Sequence, residues 1–322
     1  MANLRNIKDR INSIKNTQKI TKAMKMVAAA KVKKAENAVK ASRPFTLELY
    51  KMFCWVYQEA TKNKHEKIKT EHSIDNYPKL LEHREINSVG VVIISSNKGL
   101  AGAYCANVVR HSLSLIKELK KQGKKVYVYL IGQKAVAAIK NAQKQYGFEI
   151  RKTYTNILDG LNSSSAYIVA SNLADDYVKG EIDAIELVTT RYKNMMTYHT
   201  ESWQLLPTIT NDNLVKDFRN KELDKELNID HEVHKIEPLS EYLPDLNTVL
   251  STIVPLFITN IIFQSLLEAQ ASELASRMTA MSAATNNAQD MIATLTVDYN
   301  KARQAKITQE ITEIISGSSA LK

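Results

Sequence analysis

The chain has 322 residues, a hydrophobic fraction of 44% and a formal net charge of +10. The length is typical of about two domains and the composition is that of ordinary globular proteins. Two cysteines, Cys54 and Cys105, are too few for a disulfide framework and lack metal-ligand spacing, so a cysteine-stapled fold is excluded and a reducing compartment is favoured.

Glycine is unevenly distributed along the chain. Eight of the nine glycines lie between Gly90 and Gly180, and the ninth is Gly317. Because glycine disfavours helices and favours turns, this distribution predicts a long helix at each end and a turn-containing domain between them. Two long helices at opposite ends of a chain are able to pair antiparallel, as in a coiled coil.

The first predicted element is one long helix over residues 3–60, with a kink or brief break at Pro44. At 1.5 Å per residue it would be about 85–90 Å long, so part of it must project or pair with another helix. Its apolar stripe recurs at spacings of three and four residues. The stripe comprises Leu4, Ile7, Ile11, Ile14, Thr17, Ile20, Met24, Val27, Val32, Ala35 and Val39.

This first helix is strongly basic. Residues 1–40 contain eleven Lys or Arg against Asp9 and Glu36, a net charge of +9. Such a charge predicts an acidic partner: a carboxylate-rich protein, a phosphate backbone or anionic lipid. A basic coiled-coil protein that binds nucleic acid is therefore an alternative. The lysines surround the helix and no aromatic residue precedes Phe45, which favours a solvated or protein-facing helix.

The middle of the chain alternates between strand and helix patterns. Residues 62–87 read as an exposed connection with a short helix at Lys79–Glu85, and residues 88–207 predict a mainly parallel, Rossmann-like α/β domain with an antiparallel hairpin through Lys193–Thr197. The predicted strands are residues 88–96, 124–132, 150–154, 182–192 and 198–207, and the predicted helices are Ala103–Lys121, Gln133–Tyr146 and Ser163–Val178.

The last part of the chain predicts a polar insertion over residues 208–245 and a second long helix over residues 246–316, kinked at Pro255. Residues 246–267 carry no charge and are long enough to span a bilayer, but eight of them are polar, which favours a buried or packed helix. The apolar stripe of this helix comprises Leu267, Leu274, Met278, Met281, Ala288, Ile292, Leu295, Ile307, Ile311 and Ile314.

Candidate chemistry is sparse. The segment from Ser95 to Gly102 joins a strand to a helix through a turn that contains Lys98, as a phosphate-binding loop would, which leaves a small nucleotide-binding enzyme as a second alternative. The segment does not match the P-loop pattern, so a tight turn is favoured. His231 and His234 lie in the polar insertion, where a solvated loop is favoured over a metal site. We predict no catalytic residues, no cofactor and no metal.

Three segments resemble the gamma subunit of F-type ATP synthases. These are residues 4–31 (LRNIKDRINSIKNTQKITKAMKMVAAAK), residues 272–281 (SELASRMTAM) and residues 300–317 (NKARQAKITQEITEIISG), and the turn at residues 95–102 is similar to the S-D-K-G-L-C-G motif of that family. The resemblance implies a rotor: terminal helices in an antiparallel coiled coil inside a ring of α and catalytic β subunits, and an α/β domain below. It also implies that the chain itself performs no chemistry.

The resemblance further implies which residues contact partners. Arg277, Arg303 and Gln304 match positions that contact loops of the ring, Thr308 and Glu310 belong to the same signature, and Met24 with Lys22 and Lys25 matches a stretch that faces acidic β-subunit loops. The implied partners are the α and β subunits, the epsilon and delta subunits and the membrane c-ring, with neither nucleic acid nor a membrane span. The implied location is the cytoplasmic face of a bacterial inner membrane.

The domains expected on this basis are an N-terminal coiled-coil helix (1–61), an exposed connection (62–87), a central α/β domain (88–207), an insertion (208–245) and a C-terminal coiled-coil helix (246–322). The chain departs from the family pattern at Asn97, Ala101, Ala103 and Ser318. The insertion contains no cysteine, so the disulfide regulation of chloroplast gamma subunits is not expected. The similarity begins at residue 4, which leaves no room for a presequence and favours a bacterial protein.

Overall fold

The structure is a computed structural model, and it describes residues 4–62, 77–81, 84–155, 157–207, 243 and 245–320. The elements in chain order are α1 (Leu4–Lys62), α2 (Tyr77–Leu80), β1 (Ser88–Ile94), α3 (Tyr104–Lys121), β2 (Lys125–Ile131), α4 (Val136–Tyr146), β3 (Glu149–Tyr154), α5 (Ser163–Val178), β4 (Ala184–Tyr192), β5 (Tyr198–Leu206) and α6 (Leu246–Ala320).

The five strands form one sheet in the order β3-β2-β1-β4-β5. The first three neighbouring pairs are parallel, and β4 pairs with β5 antiparallel. This order and the helical crossovers confirm the predicted mixed α/β fold with a mainly parallel sheet. The order reverses between β1 and β4, which makes the carboxyl end of β1 the topological switch point of the sheet.

The sheet separates two layers of helices because its apolar side chains alternate between its faces. Val89, Val91 and Ile93 of β1 pack with α3 and α4, whereas Val92 and Ile94 pack with α5 and with parts of α1 and α6. The sheet is therefore covered on both sides, as expected for parallel strands with β-branched residues.

The chain divides into two compact units, which we describe separately. The larger comprises Lys31–Ser276 and the smaller comprises Met1–Ala30 with Arg277–Lys322. In the larger unit α1 and α6 run antiparallel: Arg43 lies 3.1 Å from Glu268, and the rings of Phe53 and Phe257 stack with centroids 4.6 Å apart.

Most predicted elements are confirmed to within a few residues, and one prediction is wrong. Pro44 lies inside the continuous helix α1 and Pro255 lies inside α6, so neither proline ends a helix, and the predicted kinks stay predictions. The helix predicted at Lys79–Glu85 is the shorter α2, which ends at Leu80. Residues 63–76, 208–242 and 244 lie outside the described residues, so the predicted exposed connection is described only in part and the predicted insertion almost not at all.

By length and composition, α6 qualifies as a candidate membrane-spanning helix, but 61% of its most apolar window is buried within the fold. Val254, Phe257, Ile261 and Leu266 belong to the same core cluster as β1 and α5. Polar side chains of this segment are buried as well, such as Gln264, with 1% exposure. This uncharged segment of α6 is mostly buried, which accounts for its lack of charge.

Candidate functional site on the terminal helices

The smaller unit is built from two helical segments, residues 4–30 of α1 and residues 277–320 of α6. The hydroxyl oxygens of Thr21 and Thr285 lie 2.9 Å apart, where the two segments meet. Ile11, Ala28, Met281 and Ala288 are buried. Small and polar groups at the seam allow two helix backbones to approach closely.

The predicted apolar stripe of α1 is wrong at three positions in this unit. Thr17 is exposed, and Ile20 and Val27 are 60% and 55% exposed, whereas Thr21 and Ala28 are buried. Thr21 and Ala28 are spaced seven residues apart, the period of a helix seam. The search for large apolar residues missed Thr21 and Ala28 because the seam is made of small side chains. Their seven-residue spacing is the sequence signal that identifies them.

All eight predicted contact residues lie in this smaller unit. Lys22 and Lys25 are exposed and Met24 is half-buried, close to the seam at Thr21. Arg277 is also half-buried, eight residues before Thr285 on α6. The remaining four residues are exposed and follow Thr285 by 18 to 25 positions: Arg303, Gln304, Thr308 and Glu310.

The eight residues therefore form two groups and not one site. At 1.5 Å per residue, the second group lies about 27–38 Å along α6 from Thr285. It is organised by its own helix: Thr308 donates a hydrogen bond to the carbonyl oxygen of Gln304 at 3.0 Å, and Glu310 lies 3.6 Å from Lys306.

Every side chain from residue 303 to residue 316 of α6 is exposed. Antiparallel pairing through Thr21 and Thr285 places Leu4 opposite residue 302, so the described part of α1 ends where the exposed stretch of α6 begins. Ile307, Ile311 and Ile314, predicted as part of a packing stripe, are 46%, 52% and 72% exposed. An apolar stripe of this kind beside Arg303 and Glu310 is suited to contact with another protein.

The two segments differ in charge. Residues 4–30 carry seven Lys or Arg against Asp9, a net charge of +6, whereas residues 277–320 carry four basic and four acidic residues. The positive charge of the smaller unit is therefore supplied by α1. Its complement is an acidic surface.

In the larger unit α6 is tied to the α/β layers by side-chain hydrogen bonds to backbone carbonyls. Thr189 of β4 donates to Ser265 at 3.3 Å and Tyr104 of α3 donates to Ala269 at 3.2 Å. Ser276 of α6 donates to Ala101 at 2.7 Å. Burial raises the pKa of the Tyr104 phenol, so it stays a neutral donor at physiological pH. These attachments were not predicted from the sequence.

The helices also occupy the switch point of the sheet, where doubly wound folds bind nucleotides. Fully buried Tyr192, at the end of β4, packs with Val32 of α1 and with Leu267 and Ala271 of α6. Lys98 in the adjacent turn lies 2.9 Å from a carboxylate oxygen of Asp159. The charge of Lys98 is therefore paired with a carboxylate of the protein itself, and the phosphate-binding interpretation gains no support.

The same turn shows why glycine is required next to it. Gly132, which follows β2, has φ of 98°, and a Cβ at this residue would lie 2.6 Å from the backbone oxygen of Ser95.

Cys105 is half-buried and its sulfur lies 3.5 Å from the Ser95 hydroxyl; Cys54 is buried, and burial raises the pKa of its thiol. Among the described residues no group of three metal-ligating side chains occurs. His231 and His234 lie outside those residues.

Comparison with known proteins decides the family. A family model described as ATP synthase matches residues 3–321. The ATP synthase gamma chain of Gloeobacter violaceus is 36% identical, with 99% of this chain and 100% of that chain aligned. The gamma chain of Desulforamulus reducens is 33% identical, with all of both chains aligned. The chain belongs to the ATP synthase gamma-chain family.

Solved structures agree with a gamma-chain fold. A chain in the cryo-EM structure of the Euglena gracilis mitochondrial ATP synthase (OSCP/F1/c-ring, rotational state 3) has a TM-score of 0.60 at 18% identity, covering 99% of this chain and 94% of that one. A chain of the Tetrahymena thermophila central stalk and c-ring has a TM-score of 0.56 at 23% identity, covering 82% and 99%. At these identities the likeness concerns the fold alone. The comparisons support the gamma-chain interpretation and give no support to a nucleic-acid-binding protein.

Proposed function

We propose that the chain is the central-stalk rotor subunit of an F-type ATP synthase, where it couples transmembrane ion flow mechanically to ATP synthesis or hydrolysis. The observation that carries this proposal is the similarity to ATP synthase gamma chains along the whole length of the chain. The long terminal helices with their exposed, charged surfaces are consistent with it.

The proposed partners follow from the two groups of contact residues. Lys22, Lys25 and Met24, on the basic segment of α1, would face acidic loops of the β subunits. Arg277 and the exposed group from Arg303 to Glu310 would contact loops of the α and β subunits. The epsilon and delta subunits and the membrane c-ring complete the assembly, which would place the chain peripherally on the cytoplasmic face of a bacterial inner membrane.

We infer that the chain has no catalytic site of its own and acts by changing the conformations of its neighbours. Each rotor angle brings different side chains of the smaller unit against a given β subunit, and so shifts the open–closed equilibrium of that subunit. The hydrogen bonds from Thr189 and Tyr104 to α6, and from Ser276 to Ala101, would carry torque between the α/β layers and the helix.

The proposal is tested by exchanging Arg303 and Gln304 for alanine in the assembled complex. Both side chains are exposed, so Arg303→Ala and Gln304→Ala should leave the stability of the free chain unchanged. Loss of a charged contact costs a factor of about ten, so ATP-driven ion pumping should fall by that order in the Arg303 variant. The measurement is ion pumping in membrane vesicles together with ATP hydrolysis.

Gln289→Ala, at another exposed position of α6, is the matched control and should pump normally. Assembly is measured by co-purification of the chain with α and β subunits. A wild-type chain that fails to assemble with them would refute the proposal. Normal pumping by both contact variants would refute the assigned contacts alone.

A further inference from the structure

The solvent-facing side of α3 and α4, together with the adjoining start of β2, is a second basic surface, which we call the α3–α4 face. Residues 103–148 contain nine Lys or Arg and one acidic residue, Glu118, a net charge of +8. This density rivals that of the N-terminal segment. The exposed cations of the face include Arg110, Lys117, Lys121, Lys125, Lys140 and Lys144.

The two helices form one continuous layer on the sheet. The inner sides of α3 and α4 pack in the same core cluster, through Val108, Ile116 and Ile139. Lys120 of α3 donates a hydrogen bond to the carbonyl oxygen of Gly147, just after α4, at 2.7 Å. Since α1, α5 and α6 cover the opposite side of the sheet, no described element of the larger unit covers the α3–α4 face.

The charges are arranged at a cost to the free protein. Lys117 and Lys121 are four residues apart on α3, as are Lys140 and Lys144 on α4, and like charges at this spacing repel and destabilise a helix. Glu118 is the single carboxylate of the surface and offsets little of this repulsion. A negatively charged surface placed against the face would remove the cost.

The composition of the face distinguishes between classes of partner. Eight of the nine basic residues between residues 103 and 148 are lysines, which are strongly hydrated point charges, whereas arginine is preferred for directional recognition of carboxylate and phosphate. No large apolar side chain between residues 103 and 148 is exposed, and stable protein interfaces are built around such anchors. Diffuse attraction without an apolar anchor is typical of basic surfaces against anionic lipid headgroups.

We propose that the α3–α4 face binds the anionic headgroups of a membrane surface. The inference rests on the proposed place of the chain in a membrane-associated complex, and it adds a contact with lipid to the contacts with protein subunits. Four to six lysines near the surface would hold the face against the membrane without insertion of any side chain.

The test measures binding of the full chain to phosphatidylcholine vesicles with and without phosphatidylglycerol, by sedimentation. The test variant carries Lys121→Gln, Lys125→Gln, Lys140→Gln and Lys144→Gln. The matched control carries Lys8→Gln, Lys15→Gln, Lys19→Gln and Lys25→Gln, which removes the same charge from the exposed surface of α1. Binding to phosphatidylglycerol vesicles should weaken at least about tenfold in the test variant, and less in the control, and should fall with added salt.

Two results would overturn the proposal: a wild-type chain that binds neither vesicle, and a control variant that loses as much binding as the test variant or more. The second result would assign lipid binding to α1. Co-purification of the test variant with α and β subunits is measured in parallel. Intact assembly with lost lipid binding supports the inference, whereas failure of the wild-type chain to assemble concerns the proposed function and not this face.

Discussion

Glu186 shows how one buried carboxyl makes stability depend on pH. It lies on β4 between Ala184 and Val188, which belong to the core beneath α3 and α4, so its side chain faces an apolar layer. Burial raises the pKa of Glu186 from 4.5 to about 7, and the positive charge of Lys124 opposes part of that rise. The folded chain therefore holds this proton more tightly than the unfolded chain does.

Because the folded pKa is the higher one, the stabilising contribution of Glu186 is complete below pH 4.5 and is lost as the pH rises through about 7. Glu186→Gln removes the titration. The free energy of unfolding of the variant minus that of the wild type should increase by on the order of 2 kcal/mol from about pH 5 to about pH 8. Denaturant titrations at the two pH values measure the gain, and the exposed Glu149→Gln serves as control. An equal gain in both variants would contradict the assignment.

At the scale of elements, the pairing of α1 with α6 in the larger unit depends on a buried ion pair. Arg43 and Glu268 are 0% and 6% exposed, and the amide of Gln264 donates to the same carboxylate oxygen at 3.2 Å. Contacts between apolar side chains have little directionality, whereas the guanidinium must meet this carboxylate at one register. We infer that the pair fixes which turn of α1 faces which turn of α6.

Removal of one partner leaves the other charge buried without compensation. Glu268→Leu should lower the free energy of unfolding by about 3–5 kcal/mol, whereas Arg43→Met combined with Glu268→Leu should recover most of the loss. Denaturant unfolding of the two single variants and the double variant gives the coupling energy. Glu48→Gln, which breaks the pair between the exposed Glu48 carboxylate and Lys51, is the control and should cost less than about 1 kcal/mol. A double variant no more stable than Glu268→Leu would argue against the pairing role.

At the scale of the whole molecule, burial divides the chain by role. The larger unit contains the sheet and its two apolar layers, whereas the smaller unit buries few side chains and exposes every side chain from residue 303 to residue 316. A free chain gains little stability from such an end. The exposed end is consistent with a surface that is completed by partner subunits.

Removal of residues 303–322 should therefore change the melting temperature of the free chain by less than about 2 °C, because every side chain from residue 303 to residue 316 is exposed. Removal of residues 277–322 also takes away Met281, Thr285 and Ala288, and residues 4–30 should then lose helix. Circular dichroism measures both effects as melting temperature and helical signal. If removal of residues 303–322 lowers the melting temperature by more than about 5 °C, these residues are packed in the free chain.

Much of the fold was predictable because its signals are local. Glycine distribution and apolar spacing predicted α1 and α6 closely, and β-branched runs between turn residues predicted the strands. The prediction failed at Ile20, because the seam selects side chains by size. The eight contact residues rest on resemblance and stay a prediction, since their partners lie outside this chain.

By itself, the sequence determined the order of elements, the basic charge of α1 and the membership in the gamma-chain family, because periodicity, composition and motifs are properties of neighbours along a chain. Tertiary structure alone decided that α6 fills the switch point, that Arg43 meets Glu268 across 225 positions, and that α3 and α4 bring their exposed cations together on one face. These depend on distances between segments remote in sequence. Each segment carries only half of such a contact, so neither half is recognisable before the chain folds.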